Sequence, residues 1–534
     1  MKAVLWLGLI LVVGLLGGCI PERVVWSPDG ARAAVLGSDG LHLCGPDGKL
    51  SPMLVPKVSC VEWFPDGKRV AAIRQIELTS WGQAMAVFPH DATEAIPPSD
   101  AALKRVLAFH GDWDQLGTAL VADIAKEAYR NEDIDAVLGL LYLREHDAEQ
   151  IKAAFGEHWK DFAALSFPVS VAQVCDISNP AAVKEETVML AGDSTGERQL
   201  VGLRVSPNGR AVAIVTGDWN SSNGIFGLFV TDPEGKQDAQ LAGFGAAFPD
   251  WTPDGNTLIL VRPDQTFTYG KGGAPATRPA MVETPSLKKE DLKFGTLSAA
   301  TVLDEKGKFY SHDELGIVDL AGVPFESAAR VRVVKDGRIF FDSLEMTLPA
   351  TAKDIPSRPT IFFLDPKKQS VVTRVIPHAT EFLDQLGDFT LFFEVSPDGG
   401  HIAIPFEDGR VSVLDVATGD VVVATSPGAN WSKFPKPALS SVPTWRSAKE
   451  LTFVQPSSDG SKLEVVSYTF GENGLGPATK VLSQDWPAAV ENDWLRSSPP
   501  ETQPASAPAG NVQYRPLIEP GTVPAGVPST GPAK

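Results

Sequence analysis

The sequence predicts an all-β chain: a single β-propeller of about seven four-stranded blades with an inserted α-helical subdomain. Six or eight blades also fit the pattern. Three observations carry this reading. One turn motif recurs along the 534 residues. A period-two apolar strand follows each copy. The 48 Gly and 43 Pro, about 17% of the chain against a usual 12%, supply the many turns that short strands need.

The motif has five clear copies: Trp26-Ser-Pro-Asp-Gly30, Trp63-Phe-Pro-Asp-Gly67, Val205-Ser-Pro-Asn-Gly209, Trp251-Thr-Pro-Asp-Gly255 and Val395-Ser-Pro-Asp-Gly399. The residues three and five after each Gly are apolar: Ala33/Val35, Val70/Ala72, Val212/Ile214, Leu258/Leu260 and Ile402/Ile404. Pro presets φ, Asp or Asn tolerates the next corner, and Gly takes φ > 0, so each copy reads as strand, tight turn, strand. Two weaker copies fill gaps. Arg332 to Gly337 leads into Arg338-Ile-Phe-Phe341, and Val442-Pro-Thr-Trp445 leads into Leu451-Thr-Phe-Val454, with the register slipped by a residue.

A second pair of strands follows several hairpins. Leu41–Cys44, Ile225–Val230, Thr360–Leu364 and Arg410–Leu414 each precede another turn sequence. Four strands per unit is a propeller blade. Neighbouring anchors lie 37 (Trp26 to Trp63), 46 (Val205 to Trp251) and 50 (Val395 to Trp445) residues apart, the size of a blade. Anchors near 26, 63, 205, 251, 335, 395 and 445 give seven. The motif, followed by a basic residue and an apolar strand, resembles the TolB-type, WD-repeat-like β-propeller family over roughly residues 23–482. The resemblance implies a fold and is nearly silent on function.

The N-terminus reads as an address. Lys2 precedes the uncharged stretch Ala3–Leu16, and Leu16-Gly17-Gly18-Cys19 resembles the lipobox of bacterial lipoproteins. That resemblance implies a signal peptide over 1–18 and acylation, palmitate included, on Cys19. The competing reading is an uncleaved anchor, for which about 16 apolar residues are marginal. Ile20 rather than Asp at the next position resembles lipoproteins sent to the outer membrane, facing the periplasm. Two acyl chains suffice for stable anchoring. Only Ile20–Arg23 separate Cys19 from the first strand, a reach of at most about 14 Å, so the propeller is expected directly on the membrane surface. Of the other cysteines, one disulfide is permitted in an oxidising periplasm, Cys44 with Cys60. Three buried thiols, Cys175 included, are the equal alternative.

The domain plan is then 1–18 signal peptide; 19–98 the first blades; 99–165 a helical insertion; 166–482 the remaining propeller, with an irregular insert about 265–325; and 483–534 a Pro-rich disordered tail. The helical reading rests on stripes such as Ile151, Phe155, Trp159 and Phe162. From Pro500 to Pro508 and from Pro516 to Pro532, Pro recurs every fourth residue, which suits an extended spacer.

Four patterns in the sequence bear on chemistry. Gly192-Asp-Ser194-Thr-Gly196 matches a nucleophile elbow, but a strand rather than a helix is expected after it. The eight His do not take zinc spacing. The turn residues Asp29, Asp66, Asp254 and Asp398 lack a calcium-loop arrangement. The recurrent Trp26, Trp63, Trp251 and Trp445 suit sheet packing. No catalytic, cofactor-binding or metal-binding residue is assigned, and no cofactor is expected. A net charge of −19 disfavours nucleic acid.

The expected function is therefore a non-enzymatic, lipid-anchored scaffold of the bacterial cell envelope that binds a protein, a peptide or another ligand such as a glycan. The alternatives are an accessory role in outer-membrane assembly and an enzyme with a site in the channel. The last requires Arg, His, Tyr or carboxylates lining one end of that channel.

Overall fold

The computed structural model describes residues 22–87, most of 141–160, and 166–483 apart from connections at 192–197, 219–225, 237–238, 246–247, 264–294, 311–313, 324–329, 347–356, 366–369, 376–392, 406–410, 420, 424–441, 458–461 and 472–473. The expectations for the signal peptide, Cys19 and the tail from 484 onward lie outside the described residues.

Each motif copy opens a four-stranded antiparallel meander. Blade one is β1 (Val24–Trp26), β2 (Ala33–Leu36), β3 (Gly40–Cys44) and β4 (Val55–Pro56). Blade two is β5 (Val58–Trp63), β6 (Arg69–Leu78), β7 (Phe167–Asp176) and β8 (Lys184–Ala191). Blade three is β9 (Arg198–Val205), β10 (Val212–Asp218), β11 (Phe226–Thr231) and β12 (Gln240–Gly245). Blade four is β13 (Asp250–Trp251), β14 (Thr257–Pro263), β15 (Gly295–Thr301) and β16 (Gly316–Val323). Blade five is β17 (Val331–Val333), β18 (Ile339–Met346), β19 (Ser357–Asp365) and β20 (Ser370–Val375). Blade six is β21 (Glu394–Val395), β22 (His401–Pro405), β23 (Val411–Asp415) and β24 (Val421–Val423). Blade seven is β25 (Thr444–Ser447), β26 (Glu450–Pro456) and β27 (Leu463–Gly471), with β28 (Gly474–Leu475) and β29 (Thr479–Lys480) both paired to β27. The slipped register of the last hairpin is a bulge between Trp445 and Ser447.

The inner strands of the blades are buried on both faces, so alternate residues of one strand serve two neighbours. In β2, Ala34 and Leu36 pack with Val61, Trp63 and Val70 of blade two. Ala33 and Val35 pack with Val454 and Val465 of blade seven. Apolar clusters of this kind stand between blades two and three, three and four, four and five, five and six, and six and seven. The ring thus closes through side chains, with each blade built from one continuous stretch of chain.

The turns use the motif as its chemistry suggests. Ser27 Oγ donates to Asp29 Oδ1 at 2.6 Å, which also accepts the Ala31 N–H. Ser396 with Asp398 repeats this, as does Thr252 with Asp254. Gly30 sits at φ 68° and Gly399 at φ 66°, the left-handed region that Gly enters without a steric cost. These aspartates build turns.

Two sequence boundaries need correction. Residues 295–301 and 316–323, assigned to an irregular insert, are the outer strands of blade four. Small polar residues in Gly-Thr-Leu-Ser-Ala-Ala-Thr gave no apolar alternation to read. The insertion in blade two begins earlier than 99. Its first helix, α1 (Trp81–Val87), follows β6 directly, and α2 (Ala148–Phe155) precedes β7. Residues 99–140 lie outside the described residues.

The recurrent Trp side chains tie blades together. Trp63 Nε1 donates to Val25 O of the preceding blade at 2.8 Å, Trp251 Nε1 to Arg204 O at 3.0 Å, and Trp445 Nε1 to Glu394 O at 3.2 Å. At the closing seam, Trp26 Nε1 bonds Thr452 Oγ1 and Thr444 Oγ1 donates to Val24 O. Trp63→Phe should cost about 1 kcal/mol, because it removes the indole hydrogen bond to the Val25 carbonyl, and denaturant unfolding would measure it.

Candidate functional site in the central channel

Strand alternation decides what lines the channel. The motif's anchor residue faces a neighbouring blade, so the residue before it faces the other way. In blades two to six that residue is Glu62, Arg204, Asp250, Arg332 and Glu394, and in blades seven and one it is Thr444 and Val25. Charge therefore alternates around five consecutive blades. This ring is the functional candidate that the motif reading missed. One residue upstream of the clear motif copies stand Glu62, Arg204, Asp250 and Glu394, and Arg332 opens the weaker copy of blade five.

Arg330, two residues before Arg332 in blade five, joins the ring, and Glu22 enters from the segment before β1. Glu394 accepts Arg332 Nε and Nη2 at 2.8 Å each and Arg330 Nη1 at 2.8 Å. Glu22 Oε1 lies 3.2 Å from Arg330 Nη2, 3.2 Å from Arg332 Nη2 and 3.8 Å from Arg204 Nη2. Arg204 Nη1 meets Glu62 Oε1 at 3.3 Å. The Arg330 and Arg332 side chains are 9% and 6% exposed, so these pairs are shielded from water.

The acids also reach the next blade's backbone where the anchor is Val rather than Trp. Val205 N–H donates to Glu62 at 3.1 Å, and Val333 N–H to Asp250 at 2.8 Å. A Trp anchor donates its indole to the preceding blade's carbonyl. A Val anchor can instead take that blade's carboxylate on its amide. Both devices join neighbouring inner strands.

Burial pushes Glu62 up to about 8, Glu394 up to about 8 and Asp250 up to about 6, against the pull of the nearby arginines. Burial works against the Arg204 charge, yet Glu62, Glu22, Asp250 and Glu394 hold its pKa above the ordinary arginine value. An acid with a raised pKa binds protons more tightly folded than unfolded. Its stabilisation is full below its unfolded pKa and is lost as pH rises through its folded pKa. The melting temperature should therefore fall between about pH 5 and pH 9, and Glu62→Gln should flatten that slope.

Cys44, Cys60 and Cys175 are free thiols, which corrects the Cys44–Cys60 pairing. Cys44 packs between blades seven and one, whereas Cys60 packs against the cluster between blades two and three. Burial pushes Cys60 and Cys175 up to about 12, which makes both poor nucleophiles. The elbow residues 192–197 lie outside the described residues, but β8 and β9 flank them, so no helix follows. Among the described residues, no group of three His, Cys, Asp or Glu is placed to hold a metal ion.

The two ends of the channel differ. On one, motif turns of neighbouring blades bond each other: Arg446 Nε to Gly30 O, Arg32 Nη2 to Gly67 O, Asn208 Nδ2 to Asp254 O and Arg338 Nη2 to Asp398 O. We call this the turn face. Connections between second and third strands, and between blades, leave from the other end. They include 79–166, 264–294, 376–393 and 424–443. We call it the loop face. Glu22, preceding β1, stands on its side of the ring.

No protein-family model matches the chain, and no curated protein matches it. Among solved structures it is similar to an oligogalacturonate lyase in complex with manganese, at 10% identity over 84% of this chain and 89% of that one, with a TM-score of 0.44. Porphyromonas gingivalis dipeptidyl peptidase 4 is similar at 9% identity over 89% of this chain and 55% of that one, with a TM-score of 0.36. An oligogalacturonate lyase from Vibrio parahaemolyticus is similar at 12% identity over 58% and 75%, with a TM-score of 0.32. Likenesses of this size say nothing about activity. The strand order and the seven interblade clusters make the chain a seven-bladed β-propeller.

Proposed function

We propose that the protein is a non-enzymatic, lipid-anchored scaffold of a bacterial cell envelope, held by Cys19 and binding a protein or peptide through its loop face. One observation carries this reading. Motif turns at the turn face bond one another between four pairs of neighbouring blades, while the longest connections, 79–166, 264–294, 376–393 and 424–443, leave from the opposite end. Binding surfaces are built this way, on variable segments held by a rigid ring. An outer-membrane address rests on the residue after Cys19. No described helix is long and apolar enough to cross a membrane.

A channel enzyme has one observation in its favour: carboxyl groups with raised pKa beside buried arginines, a combination found at catalytic centres and in structural ion networks alike. Each of the three arginines is ion-paired to a carboxylate of the chain itself, which supports the structural role.

The test uses the geometry of blade two. Leu78 and Phe167 are the last cross-strand pair of β6 and β7, so Asn-Gly in place of 79–166 closes them as a two-residue hairpin. Crosslinking in intact cells should capture a specific envelope partner with the wild type and lose it with this variant.

A further inference from the structure

We propose that the loop face is the membrane-facing surface of the propeller, with the channel axis standing across the bilayer plane. This rests on acylation of Cys19. Glu22 is held near the axis by arginines of blades three and five. Two residues, Ile20 and Pro21, separate it from Cys19, a Cα-to-Cα span of at most about 11 Å.

That span is too short for other orientations. Three strand spacings of about 4.8 Å put a blade's rim roughly 14 Å beyond its inner strand, which already stands off the axis. A propeller resting on its edge would have to draw the anchor from the axis to the rim. One resting on its turn face would have to thread the anchor through the ion-paired ring. Only the loop face lets the acyl chains enter lipid while Glu22 keeps its arginines. The connections 79–166, 264–294, 376–393 and 424–443 then start at the headgroups. Whatever they bind is bound at the bilayer surface. The net charge of −19 favours a zwitterionic surface over an anionic one.

Two exposed positions report the orientation. Ser38 lies in the β2–β3 connection on the loop face, and Lys335 in the β17–β18 turn on the turn face. The eight residues of β18 separate the two ends by roughly 26 Å. Acylated protein carrying Ser38→Cys or Lys335→Cys, labelled with an environment-sensitive dye, is placed in phosphatidylcholine vesicles containing a spin-labelled headgroup. The unsubstituted protein supplies the blank for native thiols. The Ser38 dye should lose its fluorescence and the Lys335 dye should keep it. Equal loss at both sites, or greater loss at Lys335, overturns the orientation while the anchor stands. An intact mass without acyl chains overturns the anchor, and this proposal with it.

Discussion

Glu394→Ala should destabilise the propeller by about 3–5 kcal/mol, the largest effect expected of any single substitution in the ring. Its two oxygens take three bonds from Arg332 and one from Arg330, and both guanidinium groups are buried. Removing the acid leaves two buried cations sharing Glu22. The cost comes from buried guanidinium donors left without their acceptor more than from a lost attraction. Glu394→Gln keeps the shape and should recover part of the loss. The same reasoning makes a second expectation. Thr444 and Val25 occupy the equivalent place in blades seven and one, so the fold does not need a charge there. Replacing Arg330, Arg332 and Glu394 together with apolar residues should cost less than Glu394→Ala alone. Denaturant midpoints of the variants decide both points.

The other large effect concerns the anchor. Protein extracted from membranes should begin at Cys19 and carry acyl chains by intact mass. Replacing residues 1–19 with a secretory signal that is cleaved should move the protein wholly to the soluble fraction, still folded. A single acyl chain binds a bilayer only marginally, whereas two hold it firmly, so a halfway distribution is not expected. The ring supports the folded outcome, because its described cores and interblade bonds are made by residues from Glu22 onward. Membrane retention of the signal-swapped protein would mean that the propeller itself binds lipid or a membrane protein.

Much of the architecture was legible because a propeller repeats its turn chemistry. Pro-Asp-Gly and its variants mark where first strands end, and the alternation after them marks second strands. Blade four was half lost. Its third strand begins only after residues 264–294, and its small polar residues carry no pattern. The insertion in blade two was read about twenty residues late, since α1 is too short to show a stripe. The charged ring was visible but unread: Glu62, Arg204, Asp250, Arg332 and Glu394 each stand beside an anchor, and their meaning appears only when seven strands are set in a circle. Glu22 was beyond reach, because nothing local says that a residue before the first strand turns toward the arginines of blades three and five. The Cys44–Cys60 pairing failed for a related reason. Nearness in the repeat plan does not tell which interblade core a strand residue enters.

The loop face is expected to bind an envelope partner. The most direct measurement is crosslinking in intact cells, comparing the wild type with the variant in which Asn-Gly replaces 79–166, both acylated and equally stable. One specific partner should be captured by the wild type and be absent from the variant. Equal capture by both, or capture only through residues on the turn face such as Lys335, would contradict it.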